Sequence, residues 1–109
     1  MISWNDFEKI EIRVGTILEV NDFPKAKKPA YQLKIDFGEY GLKRSSAQIT
    51  SLYQKEGLIG KQVIAVINFP PKQIADFLSE CLVLGVYNEQ EQVVLLHPSM
   101  PVQNGGKIG

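Results

Sequence analysis

Seven consecutive residues, Tyr31-Gln32-Leu33-Lys34-Ile35-Asp36-Phe37, alternate apolar and polar without a fault. Strict alternation suits a strand, whose successive side chains point to opposite faces, so this segment predicts a half-buried antiparallel strand. The rest of the chain has the same character. Turn signals recur at intervals of about ten residues, as in all-β domains, and no internal repeat, low-complexity stretch or Gly/Ser linker interrupts them.

The β-branched run from Ile12 to Val20 predicts strand one, with Gly15 where a strongly curved strand would take a bulge. Gly38-Glu39-Tyr40-Gly41 supplies a hairpin turn. Leu42 to Ile49 returns as strand three, with the small polar residues Ser45 and Ser46 in its middle. Thr50 to Lys55 suits a short helical turn ended near Gly57. Lys61 to Phe69 is apolar on both faces and predicts the most enclosed strand, closed by Pro70-Pro71 because proline cannot donate to a ladder. Residues 72–79 form a long connection. Cys81 to Val86 and Val93 to Leu96 form a last hairpin around Asn88, and the Pro- and Gly-rich tail from Pro98 is irregular and partly ordered. Ahead of strand one, Ser3 and Asp6 resemble a helix cap, and Trp4, Phe7 and Ile10 recur at helical spacing.

These elements predict an all-β fold. The economical solution is a five-stranded Greek-key barrel of the OB type, with a short N-terminal helix and a short helical turn between strands three and four, because closure removes unpaired edges. A β-sandwich is the second choice. The 109 residues, with 44% hydrophobic and 22% charged side chains, suit one domain over 1–109 with a single core.

No run approaches the roughly 20 apolar residues of a membrane span, and the first residues lack the pattern of a signal peptide, so a cytoplasmic protein without membrane insertion is expected. Twelve Lys and Arg balance twelve Asp and Glu. Any nucleic-acid binding must therefore come from a local patch.

Catalytic patterns are few. The lone Cys81 sits in an apolar run and reads as a small buried hydrophobe, and His97 has no nearby Cys or second His to complete a metal site. No nucleotide-binding glycine motif or GxSxG setting occurs, and the expectation is a non-enzymatic protein without a cofactor. What remains is a binding surface, marked twice. Lys25, Lys27 and Lys28 with Lys34, and Lys43-Arg44 across the hairpin, could create a local positive potential, or could simply be a solvated loop. The segment from Asn68 to Ser79 puts aromatic, apolar and hydrogen-bonding groups on a connection between strands, although Phe69, Ile74 and Phe77 could equally plug the barrel end.

Over nearly its whole length the chain resembles the tRNA-binding domain found free-standing and at the end of some methionyl-tRNA synthetases. The residues that carry this are Asp6 to Ile17, Ile35-Asp36-Phe37-Gly38, Gly57 to Lys61 and Leu95-Leu96-His97-Pro98. Within that family, Ser45 to Thr50 and Val63 to Pro71 resemble its CsaA-like branch, small chaperones associated with protein export. The resemblance implies an OB barrel working as a homodimer, with a groove for tRNA or, in that branch, for unfolded polypeptides or preproteins, and with contact to the export machinery. It puts a groove lysine on Lys28, a strand-end asparagine on Asn68, a serine on Ser79 and the methionine of the tRNA binders on Leu82. Together with the two marks above and the Ser45 to Thr50 match, the expected groove comprises Lys28, Lys34, Ser46, Gln48, Asn68, Lys72, Phe77, Ser79 and Leu82. Trp4, Phe7 and Ile10, an apolar stripe on a helix too short to stand alone, are the candidate dimer contact.

Departures from the family pattern point the same way. Ala47-Gln48 replaces the Ser-Gly of the tRNA binders, and Ala75-Asp76 replaces their Arg-Gly. One cation is lost and one anion gained, which favours a ligand less charged than tRNA. The rival readings are a dedicated tRNA-binding protein and a structural module that dimerises inside a larger complex.

Overall fold

A computed structural model describes residues 1–109. Helix α1 (Trp4–Glu8) opens the chain and β1 (Ile12–Asp22) follows. β2 (Tyr31–Asp36) and β3 (Leu42–Ala47) are joined through a 3-10 turn at Gly38–Tyr40, and α2 (Lys55–Leu58) leads into β4 (Gln62–Val66). The second half holds β5 (Lys72–Ile74), β6 (Phe77–Ser79), β7 (Leu82–Val83), β8 (Gly85–Tyr87) and β9 (Val93–Leu95).

Five antiparallel strands in the order β3-β2-β1-β4-β7 form the main sheet. It wraps until β7 and the residues before it meet β3, where the Glu80 amide donates to the Arg44 carbonyl at 2.7 Å and the Ser45 hydroxyl donates to the Cys81 carbonyl at 2.9 Å. The result is a nearly closed OB-like barrel with two short helices, as expected.

β2 keeps its alternation, with Tyr31, Leu33 and Ile35 buried and Gln32, Lys34 and Asp36 on the outer side. Its apolar face joins Ile17, Phe37, Ile49, Leu58, Val63 and Ala65 in the main core. Full burial of side chains of this size contributes roughly 1.5–3 kcal/mol each.

β1 serves both sides of the barrel. Ile12 to Thr16 pairs with β4, Thr16 to Asp22 pairs with β2, and the register with β2 shifts between Ile17 and Glu19. The bulge thus falls at Leu18, not at Gly15, which sits in regular register with Val63. Gly15 is needed for space instead: a Cβ there would lie 2.6 Å from Ile35 Cγ2 and 2.7 Å from the Phe37 ring.

Three other segments depart from expectation. The helical turn begins at Lys55 and runs through Gly57, later than Thr50, with Gln54 as its N-cap. Residues 72–79 are a hairpin, not a loop: Ile74 faces Phe77, and the turn residue Ala75 has φ +53°. The turn lacks the Asn-Gly or Asp-Gly pair that marks tight hairpins, so the strands were invisible in the sequence. Cys81 to Val86 is two strands. β7 joins the barrel and β8 pairs with β9, because the Leu84 amide still reaches Ile64 on β4 before the chain turns away.

The tail is pinned. Val14 donates to the Gly106 carbonyl at 3.0 Å, Gly105 to Val14 at 2.7 Å and Ile108 to Ile12 at 3.0 Å, on the β1 edge that β2 leaves free. Asn104 Oδ1 accepts from Thr16 Oγ1 at 2.7 Å and from Gln62 Nε2 at 3.1 Å. Polar groups and glycines, not apolar periodicity, hold this segment.

Gly15→Ala is expected to destabilise the protein by roughly 1–3 kcal/mol, the usual cost of forcing extra volume into a packed core. Urea denaturation should show a lower midpoint at unchanged m-value. An unchanged midpoint would show that Ile35 and Phe37 yield freely.

Candidate binding cleft

Where β3 runs out and the barrel closes against β6 and β7, the two walls separate into a cleft of about 670 Å³. Its polar wall comes from β3 and its continuation, Ser46 to Ile49, and its opposite wall from Ser79 to Val83. Phe69 and Pro70 border it at one side and Tyr87 and Val93 of the β8–β9 hairpin at another. Much apolar surface faces solvent here: Phe69 is 54% exposed, Leu82 49% and Tyr87 74%.

The seam above the cleft relies on side-chain oxygens. Ser46 N–H donates to Ser79 Oγ at 3.1 Å and Arg44 N–H donates to Glu80 Oε1 at 2.9 Å. Ser45, with 1% exposure, fits because anything larger would push β3 from the Cys81 backbone. Ser79 is therefore both a cleft residue and a structural tie.

Of the expected groove, Ser46, Gln48, Lys72, Ser79 and Leu82 come together on this cleft. The others lie elsewhere. Lys28 is on the exposed loop between β1 and β2. Lys34 is on the outer face of β2, opposite Arg44 on β3 and 3.9 Å from Glu19. Phe77 is 1% exposed and packs with Phe23 and Ala30 in a second small core, so its ring is closed to a ligand. Asn68 acts as a clamp: its Oδ1 accepts from Glu11 N–H at 3.0 Å and its Nδ2 donates to the Lys9 carbonyl at 2.8 Å, fixing α1 to the end of β4.

Glu80, Glu91, Tyr87 and Val93 are cleft residues that sequence reasoning missed. Tyr87, an aromatic beside a hairpin turn, was the one with a readable signal. Lys72 is the only cation among the lining residues, against Glu80 and Glu91.

A second cleft of about 670 Å³ lies between α2 and the chain after β9, and His97 and Lys61 line it. His97 Nδ1 sits 2.9 Å from the Pro98 carbonyl. No three His, Cys, Asp or Glu side chains converge as metal ligands. Cys81 is 7% exposed, and burial pushes its thiol up to about 11. A neutral thiol at neutral pH is a packing group.

Helix α1 carries a full capping box, Asp6 N–H to Ser3 Oγ at 3.1 Å and Ser3 N–H to Asp6 Oδ2 at 3.0 Å, and the Ser3 amide, then the Ser3 hydroxyl, hold the Asp6 carboxyl below its ordinary value. Its apolar stripe is uncovered. Trp4 stacks near Phe7 with ring centroids 5.4 Å apart, yet Trp4 is 65% and Ile10 43% exposed.

Taken together, the geometry defines a small OB-type barrel with a mixed apolar and polar cleft at its seam. Residues 12–107 match the family described as "Putative tRNA binding domain". The CsaA chaperone of Picrophilus torridus is 58% identical over the whole of both chains, with a TM-score of 0.94. A CsaA chaperone from Bacillus anthracis is 51% identical over 100% of this chain and 99% of that one, with a TM-score of 0.95. The methionine–tRNA ligase of Nanoarchaeum equitans is 36% identical over 99% of this chain, which spans only 14% of that ligase. The chain belongs to the tRNA-binding domain family and, within it, to the CsaA-like proteins. No helix is long and apolar enough to cross a membrane.

Two outcomes follow from these contacts. Asn68→Ala should cost about 1 kcal/mol, the usual net worth of a hydrogen-bonding side chain. Because Trp4 is the only tryptophan, the freed helix should appear as lower Trp fluorescence anisotropy in the folded protein. Anisotropy equal to the wild type would show that α1 does not depend on the clamp. For Cys81, the thiol is raised from 9.0 to about 11 by folding, so its contribution to stability is complete below about 9. It declines as pH rises from there through about 11, since the unfolded chain loses its proton first. In urea titrations across that range, Cys81→Ala should lack this part of the decline.

Proposed function

We propose that the protein is a CsaA-like chaperone that binds unfolded or export-bound polypeptides without catalysis, acting as a homodimer in the cytoplasm beside the export machinery. The observation that carries this is the full-length likeness to two CsaA chaperones. The chemistry of the cleft supports it. Phe69, Leu82 and Tyr87 offer exposed apolar surface, while Gln48 and Ser46 offer hydrogen-bonding groups suited to a peptide backbone. The lining carries two carboxylates and one ammonium, a poor setting for a phosphate chain.

A second reading, tRNA as a further ligand, is favoured by membership of the tRNA-binding domain family. Lys27 and Lys28 of the β1–β2 loop form no ion pair and are the cations best placed to meet phosphates. The α1 stripe of Trp4, Phe7 and Ile10 is proposed as the dimer contact. A one-turn helix with its apolar side in water gains stability when a second copy covers it.

Binding of several labelled, reduced and alkylated polypeptides should be saturable, with weak dependence on salt. Leu82→Glu should weaken it roughly tenfold, equivalent to about 1.4 kcal/mol. Absence of saturable binding to all of these chains would remove the reading. In sedimentation, Trp4→Ser combined with Ile10→Ser should shift a dimer to monomer, and an unaltered mass would place the contact elsewhere.

A further inference from the structure

The basic side chains of the barrel are unevenly neutralised. Lys25 Nζ lies 3.1 Å from Asp76 Oδ2, Lys55 Nζ 2.8 Å from Asp22 Oδ2 and Lys34 Nζ 3.9 Å from Glu19 Oε1. Lys27, Lys28, Arg44 and Lys72 have no carboxylate within ion-pair distance. Lys25 thus stands apart from the two lysines that follow it on the same loop: it alone is masked, by a carboxylate 51 residues further along the chain.

Packing, not charge, puts that carboxylate there. The tip of the β5–β6 hairpin lies against the β1–β2 loop because the Phe77 and Phe23 rings meet at 5.4 Å and Ala26 and Ile74 pack on the same cluster. Arg44 also covers Phe77, its guanidinium 4.3 Å from the ring centroid. Ala75 holds a left-handed conformation at the first turn position, and Asp76 follows it beside Lys25. The ion pair is well exposed, 68% at Lys25 and 58% at Asp76, so it adds little to stability. It does change the field. A carboxylate on an ammonium cancels its attraction for a third charge beyond a few ångströms, leaving Lys27 and Lys28 without the third cation that would complete a phosphate-binding cluster.

We infer that Asp76 is a specificity-determining residue that disfavours polyanions: by occupying Lys25 it lowers affinity for nucleic-acid backbones while leaving the neighbouring cleft open to polypeptide. This rests on the polypeptide-binding reading above for its purpose, and on the Lys25–Asp76 geometry alone for its effect on tRNA. The Asp76 carboxyl is held below its ordinary value, first by the hydrogen bond from Lys25 and then by that side chain's charge, so the mask persists throughout the neutral range.

The test compares the wild type, Asp76→Asn, Lys25→Ala and the double variant, using bulk tRNA and a reduced, alkylated polypeptide as separate probes from 50 to 200 mM salt. Asp76→Asn should bind tRNA roughly three- to tenfold more tightly at 50 mM salt, with a log–log salt slope steeper by about one. The gain should vanish in the double variant. Polypeptide affinity of Asp76→Asn should stay within about twofold of the wild type, since Asp76 does not line the cleft. An unchanged tRNA affinity and slope, no tRNA binding by any variant, or a gain that survives Lys25→Ala overturns the inference. Loss of polypeptide binding in the wild type removes the chaperone reading instead and leaves the tRNA comparison intact.

Discussion

The barrel depends on one seam, where β3 meets the residues between β6 and β7. A five-stranded antiparallel sheet leaves two unpaired edges unless it closes. Closure here uses a single backbone bond, Glu80 to Arg44, reinforced by oxygens from Ser45, Ser79 and the Glu80 side chain. Side-chain oxygens can satisfy edge amides without a continued ladder. The strands are therefore free to diverge just beyond Ser46, and the divergence is the cleft.

The small polar residues of β3 are thus explained by closure before binding. Ser45 is consumed by the seam, while Ser46 turns its backbone to the seam and still borders the cleft. The second hairpin completes the arrangement. β5 and β6 carry Lys72 and Ser79 to the rim while Phe77 anchors the same hairpin beneath Arg44. Phe77 and Ser79, two residues apart, share one face of a three-residue strand while Leu78 points the other way, so anchoring and presentation are inseparable in this element.

Charge acts locally in a chain whose total is balanced. Pairs bridge different elements, Lys25 with Asp76 and Lys55 with Asp22, and in the second the hydrogen bond that Lys55 donates to the Asp22 carboxylate holds the Lys55 ammonium above its ordinary value. Surface pairs of this kind contribute little to folding. Their larger effect is on which cations remain to attract a partner, and net charge carries no information about that.

β2 was legible residue by residue because its alternation reports burial on one face directly. Helix α1 was legible from Ser3 and Asp6, since a capping box is a local device. The first four strands and the closed form followed from run lengths and turn spacing. Of the groove expected from the sequence, Ser46, Gln48, Lys72, Ser79 and Leu82 border the cleft, whereas Lys28, Lys34, Asn68 and Phe77 do not. Only the tertiary structure decided the rest. The β5–β6 hairpin, the tail pinned through Asn104 and Gly106, the burial of Phe77 and the clamp at Asn68 all rest on contacts between residues far apart in the chain. Local patterns encode which face of a segment is apolar; they do not encode what arrives to cover it, and that is where side chains of the same type divide into core, tie and ligand contact.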